Sequence, residues 1–137
     1  MSEIKISDLS VGDWVRYIRK RKKNDDYFQV AHIFRGEKEW LVGRKNDDIF
    51  GSHSLRLKDV EPIPLTPEIL EKIGFVEMWG DFVVTHNGFY INIEVQENRF
   101  GLEVSADGHI IISCDVEFVH QLQHALRLAC VGKEIEV

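Results

Sequence analysis

All three prolines of this 137-residue chain lie between Pro62 and Pro67, near its middle. Proline fixes its own φ and biases the preceding residue toward extended conformations, so this segment is predicted to be a stiff connector. The charge changes across it, because residues 1–62 carry a net charge of +2 and residues 63–137 carry −8. The sequence therefore predicts two parts of different character, residues 1–62 and residues 63–137.

The first part, residues 1–62, is predicted to be a small β-barrel. Short runs rich in aromatic and β-branched residues alternate with turn signals, and no helical period runs through them. The turn Val11-Gly12-Asp13 ahead of Trp14 and Val15 resembles the opening of SH3-like barrels, and this resemblance implies an SH3-like fold. The other predicted turns are at residues 24–26, 35–38 and 46–48.

The second part, residues 63–137, begins with a predicted short helix. Thr66 supplies an N-cap, Pro67 the first helical position and Gly74 the end. Asn87-Gly88 is a strong hairpin signal, and the residues after it alternate between apolar and polar. These patterns predict an antiparallel β-meander.

A C-terminal helix is predicted to cover that meander. Apolar residues recur at helical spacing after Asp115, and Gly132 is the predicted cap. Cys114 and Cys130 are predicted to pack as small apolar residues, because both lie in apolar contexts. The residues at helical spacing are Val119, Leu122, Leu126 and Ala129. The whole chain is thus predicted to be α+β, an SH3-like small β-barrel followed by a helix-covered meander.

A basic segment, residues 16–23, stands out in an acidic protein of net charge −6. Six of its eight residues are cationic, and aromatic residues flank it, which predicts a hairpin tip that contacts a phosphate backbone or an acidic protein. A solvated loop is the alternative, since the first part nets only +2. The candidate contact residues are Arg16, Arg19, Lys20, Arg21, Lys22 and Lys23.

His120 and His124 give the sharpest metal hypothesis. Their spacing of four puts both imidazoles on one helix face, and a third ligand would come from His86, His109 or Asp115. The zinc protease motif has a glutamate between its histidines, where this chain has glutamine and leucine. Local packing at the edge of the apolar stripe is therefore favoured, and neither a metal nor another cofactor is predicted.

No other catalytic motif is found in the sequence. It contains no GxSxG, no glycine-rich phosphate loop and no GxGxxG after a strand. The acidic pairs at residues 25–26 and 47–48 fall in predicted turns, where aspartate is favoured for backbone reasons. The protein is predicted not to be an enzyme.

Two strings resemble a family of uncharacterised bacterial proteins. The strings are Glu-Pro-Ile-Pro-Leu-Thr at residues 61–66 and Val-His-Gln-Leu-Gln at residues 119–123, and the resemblance runs from the Gly12-Asp13 turn to the end. Family members are widespread in anaerobic gut bacteria, often near phage or mobile-element genes. The resemblance implies no activity, and because members tend to have Asn at the position of His124, it weakens the metal hypothesis.

The sequence thus predicts a cytoplasmic, non-catalytic binding or adaptor protein with no membrane segment and no secretory signal. Interaction with a protein partner, in a phage or mobile-element context, is the first choice. Weak nucleic-acid binding through residues 16–23 is the second. The sequence leaves the partner and the oligomeric state open.

Overall fold

A computed structural model describes residues 4–18, 26–45, 54–97 and 99–137. Over these ranges the chain is α+β and divides into two compact units, Met1–Ile63 and Pro64–Val137, here called the N-terminal and C-terminal units. Their boundary falls inside the proline-containing segment, one residue after the predicted one. None of the helices in the described ranges has the length and apolar character needed to cross a membrane.

In its described residues, the N-terminal unit contains two short 3-10 helices, Ile6–Asp8 and Leu57–Asp59, and five strands. The strands are β1 (Trp14–Tyr17), β2 (Asp26–Arg35), β3 (Trp40–Arg44), β4 (Leu55–Arg56) and β5 (Val60–Pro62). They form one antiparallel sheet in the order β4-β3-β2-β1-β5. The first half of β2 pairs with β1 and the second half with β3, and the register shifts between Val30 and His32. Such an irregularity bends a strand, so β2 serves two differently oriented neighbours.

Among the described residues of this unit, an apolar cluster forms the core, and a turn with a buried aspartate precedes β1. Gly12 has φ of 95°, a conformation that favours glycine. The neighbouring Asp13 is fully buried, and its carboxylate accepts a hydrogen bond of 2.8 Å from the backbone N–H of Ser10. The Gly-Asp signal is therefore structural. The buried cluster consists of Ile4, Leu9, Val15, Phe28, Val30, Val42 and Val60.

The predicted strands on either side of the turn at residues 35–38 are present as β2 and β3, and Gly36 N–H donates to the Glu39 carbonyl at 2.8 Å. The segment at residues 54–60 is not one strand, because the 3-10 helix Leu57–Asp59 divides it into β4, which pairs with β3, and β5, which pairs with β1. In the described residues the sheet is open, with β4 and β5 at its edges. The predicted turn at residues 46–48 lies outside the described residues.

The C-terminal unit contains a second five-stranded antiparallel sheet. Its strands are β6 (Val76–Met78), β7 (Asp81–His86), β8 (Phe89–Gln96), β9 (Arg99–Ala106) and β10 (His109–Val116), in the order β10-β9-β8-β7-β6. Two residues connect each strand to the next, and positive φ angles at three of these turns match the mirror-image turns that suit a hairpin. The positive-φ pairs are Trp79-Gly80, Asn87-Gly88 and Asp107-Gly108. The predicted meander is confirmed, and β6 is an additional strand.

Helix α1 (Pro67–Lys72) has the predicted ends. The Thr66 hydroxyl oxygen accepts a hydrogen bond of 3.2 Å from the backbone N–H of Ile69, and Gly74 follows the helix with φ of 108°. A backbone bond of 2.9 Å from Phe75 N–H to the Leu70 carbonyl closes the end, as in a Schellman motif.

Helix α2 (Val119–Leu128) lies against β10 and buries its apolar stripe. Leu122, predicted to be at the centre of that stripe, is fully buried. The predicted cap at Gly132 is wrong, because the left-handed residue after the helix is Cys130, with φ of 57°. Val131 N–H then reaches back to the Leu126 carbonyl at 3.1 Å, and both of these side chains are buried. Apolar contact thus accompanies a helix end that lacks the usual glycine.

Candidate binding surfaces

Arg16 is the one cation of the basic segment that lies within the described residues, and it is already paired. It lies on β1 directly opposite Glu61 on β5, and its Nη2 is 3.1 Å from the Glu61 carboxylate. Both side chains are mostly buried. Because a partly buried ion pair holds the guanidinium in place, Arg16 contributes little free positive charge to an anionic ligand. Arg19, Lys20, Arg21, Lys22 and Lys23 lie outside the described residues.

The aromatic residues around the basic segment divide between core and surface. Phe28 is buried in the apolar cluster and Tyr17 packs against it, whereas Tyr27 is exposed and lies opposite Arg16. Part of the stacking surface that the sequence pattern offers to a nucleic acid is thus used for folding.

The two helical histidines contact each other through their rings. The His120 and His124 ring centroids are 5.6 Å apart, edge to face, and His120 also stacks with Phe118 at 5.9 Å. Asp115, a proposed third ligand, forms an ion pair with Arg99, in which Arg99 Nη1 lies 3.3 Å from Asp115 Oδ2. Within the described ranges, no group of three or more His, Cys, Asp or Glu residues is arranged to hold a metal ion.

The cysteines are exposed, so the prediction that both pack as apolar residues is wrong. Cys114 lies on the edge strand β10, where a core-facing register does not ensure burial, and Cys130 occupies the left-handed position after α2. Partial burial, with a smaller contribution from the charge of Asp115, raises the pKa of the Cys114 thiol. A raised pKa leaves less thiolate at neutral pH, which is unfavourable for a nucleophile.

An open pocket beside Trp40, here called the Trp40 pocket, is a candidate that sequence patterns did not reveal. Its volume is about 340 Å³, in the lower part of the range of about 300–1,000 Å³ for small-molecule sites. Apolar and cationic side chains from three separate segments meet there. The lining residues are Ile4, Arg35, Lys38, Glu39, Trp40, Leu57 and Lys58.

Local structure explains how these residues meet. Arg35 and Trp40 form the last cross-strand pair of β2 and β3, and the Arg35 guanidinium lies 5.8 Å from the Trp40 ring centroid. The tight turn between these strands presents Lys38, and the 3-10 helix Leu57–Asp59 presents Lys58. A cation over an aromatic face is favourable by about 0.5–1 kcal/mol at exposed sites, so Arg35 is held beside the apolar floor.

Two other cavities, both in the C-terminal unit, have less suitable chemistry. One, of about 330 Å³, lies against the outer side of β8, β9 and β10 and is lined by polar and acidic side chains, among them Glu94, Glu103 and Asp115. The other, of about 250 Å³, lies between the end of α2 and the C-terminal residues. The first of these cavities has no cation in its lining, and the second has two, Arg127 and Lys133, but no aromatic residue, whereas the Trp40 pocket combines three cations with Trp40.

The chain matches no protein-family model, no curated protein and no solved structure.

Proposed function

We propose that this protein is a non-catalytic binding or adaptor protein whose N-terminal unit binds an acidic, apolar segment of a partner protein in the Trp40 pocket. The observation that carries the proposal is the meeting of an apolar floor with three cations at one opening. Trp40, Ile4 and Leu57 supply the floor, and the cations are Arg35, Lys38 and Lys58, with Glu39 as the one acid in the lining.

Such a site selects for two properties at once. An aromatic or aliphatic side chain loses contact with water when it enters the pocket, which stabilises the complex by about 1.5–3 kcal/mol for full burial. Carboxylates on either side of that side chain would lie near Lys38 and Lys58, where opposite charges favour encounter and set specificity. An apolar segment flanked by basic residues would meet repulsion from the same lysines.

An SH3-like barrel is the fold proposed for the N-terminal unit. The bent strand β2, shared by β1 and β3, supports this proposal, and so does the single apolar cluster on which the sheet packs. We also propose a role for the protein in phage or mobile-element biology, which rests on the resemblance of residues 61–66 and 119–123 to the bacterial family described above.

A labelled peptide with one phenylalanine between two pairs of aspartates tests the proposed site. Its affinity, measured by fluorescence anisotropy, should fall about tenfold in the double variant Lys38→Glu, Lys58→Glu, which corresponds to about 1.4 kcal/mol. Exposed charges contribute little to stability, so this variant should stay folded. Trp40 is half-buried, which makes its own replacement a less selective test.

Two controls complete the measurement. Lys72→Glu makes the same charge change on an exposed residue of α1 and should leave peptide affinity unchanged. A peptide with lysines in place of the aspartates should bind at least about tenfold more weakly than the acidic one, because it meets like charge. Equal binding of the acidic peptide to wild type and to the double variant would contradict the proposed site.

Nucleic-acid binding through the basic segment is the second candidate, favoured by six cations in residues 16–23. If it occurs, replacing Arg19, Lys20, Arg21, Lys22 and Lys23 with Gln should weaken binding of a single-stranded oligonucleotide and flatten its dependence on salt. Equal binding by the variant and wild type across a salt titration would exclude this candidate.

A further inference from the structure

The most exposed aromatic side chain in the described residues is Trp79, which is 100 % exposed. It is the first residue of the two-residue turn between β6 and β7, and its φ is 57°. A bulky side chain is rare in this left-handed region, which favours Gly, Asn or Asp. Local preference therefore does not explain a tryptophan at this turn, and a functional reason is indicated.

Trp79 belongs to a larger apolar surface, which we call the Trp79 tip. Val76 and Met78 on β6 are also exposed, and β6 is an edge strand of its sheet. Tryptophan is enriched among the few residues that carry most of the energy of protein interfaces. The described part of the chain leaves all three side chains accessible to a partner.

The negative charge around the Trp79 tip limits the kinds of partner that can bind there. Glu77 precedes Met78, Asp81 follows the turn, and residues 63–137 carry a net charge of −8. This surface would repel a phosphate backbone or an anionic lipid. It fits instead an apolar pocket with a cationic rim.

The Trp40 pocket has the required chemistry. Its floor is apolar, its opening carries Arg35, Lys38 and Lys58, and its volume of about 340 Å³ can admit one aromatic ring system. The residues of the N-terminal part also carry a net positive charge, +2, against −8 for the other part. A second copy of this chain therefore offers both the apolar pocket and the opposite charge.

We propose that the Trp79 tip of one copy inserts into the Trp40 pocket of another copy, so that the chain associates with itself through two different surfaces. The proposal depends on the proposed function, because it names the partner of the same pocket. The contact is heterologous: each copy gives one tip and receives one, and repeated contacts form a ring or a filament.

Analytical ultracentrifugation of the full chain over a range of concentrations tests this proposal. The mass of wild type should rise with concentration above the monomer value of 15.9 kDa. The variant Trp79→Asn should associate at least about tenfold more weakly. Asparagine tolerates the turn conformation, so this variant should keep its fold, as its melting temperature will show. The double variant Lys38→Glu, Lys58→Glu should show the same weakening.

A mixture of the two variants provides the decisive measurement. The Trp79→Asn chain keeps its pocket and the lysine double variant keeps its Trp79 tip, so the mixture can form only one contact per pair of chains. It should yield a complex of about twice 15.9 kDa that does not grow further. A mixture that stays monomeric, or Trp79→Asn chains that associate like wild type, would overturn the proposal.

The outcomes also separate this inference from the proposed function. Wild type that binds the acidic phenylalanine peptide but stays at 15.9 kDa up to about 1 mM overturns the second copy as partner and leaves the peptide site standing. The second copy is also overturned as the partner if the chain stays monomeric and captures a different protein through Trp79. Loss of both peptide binding and self-association overturns both proposals.

Discussion

In the C-terminal unit every strand of the sheet pairs with its neighbour in sequence, whereas in the N-terminal unit β1 pairs with β5 as well as with β2. The strand pairing of the C-terminal sheet is specified by two-residue turns, which are local signals in the sequence. The N-terminal sheet brings Arg16 to Glu61, 45 residues away, through pairings that no turn signal encodes. Local signals thus specify the strand order of one sheet, while the other depends also on the long-range pairing of β1 with β5.

The largest effect is expected at α2, because the position of this helix in the C-terminal unit depends on packing and not on a two-residue turn. Leu122→Ala should lower the free energy of unfolding by about 2–5 kcal/mol, because Leu122 is fully buried and its removal leaves a cavity. Leu128→Ala, on the same helix but 79 % exposed, is the matched control and should change it by no more than about 0.5 kcal/mol. Denaturant titrations that give similar losses for both variants would show that the helix buries another face.

A smaller effect is expected at the buried turn of the N-terminal unit. Asp13→Ala should reduce stability by about 1–3 kcal/mol, because the Ser10 backbone N–H then loses its acceptor. Asp8→Ala removes an exposed carboxylate nearby and serves as the control. Equal melting temperatures for the two variants would mean that this turn does not depend on the buried carboxylate.

Replacing Gln121 with alanine is expected to have an intermediate effect, a loss of about 1 kcal/mol in the free energy of unfolding. Its exposed side chain predicts a near-neutral replacement, but its Oε1 accepts hydrogen bonds from the backbone N–H groups of Glu117 and Phe118, at 2.7 and 3.1 Å. Gln121→Ala should therefore destabilise α2, and Gln121→Glu should retain most of the stability because a carboxylate reaches the same donors. Thermal unfolding of the three proteins distinguishes capping from simple exposure, and an alanine variant as stable as wild type would argue against capping.

The smallest effect has the opposite sign. Trp79→Asn should raise the free energy of unfolding by about 0.5–1 kcal/mol, because asparagine adopts positive φ more readily than tryptophan in a hairpin turn. Asn87→Trp makes the reverse change at the corresponding position of the next hairpin and should destabilise the protein. If Trp79→Asn is less stable than wild type in urea titrations, Trp79 has a structural role that its exposure does not reveal.

The sequence predicted much of the C-terminal unit for reasons that can be stated residue by residue. Thr66 marks the start of α1 and Gly74 its end, and Asn87-Gly88 joins two strands. Each of these signals is local, because the residues set the conformation or the hydrogen bonds of the backbone next to them. The exposed cysteines were missed because burial at a sheet edge or a helix end depends on what covers it. The Trp40 pocket was missed for a similar reason: Ile4, Trp40 and Leu57 come from distant segments and share no motif.

The sequence by itself determined the Asn87-Gly88 hairpin turn and the apolar stripe of α2, since each is encoded by neighbouring residues or by a simple period. Tertiary structure decided which strands pair at a distance, that Glu61 neutralises Arg16, and that cations and apolar side chains meet at Trp40. It also decided that Trp79, a residue type that is highly buried on average, is fully exposed to solvent. The physical reason is that burial and charge pairing depend on distances between atoms, and the chain sets those distances only when it folds.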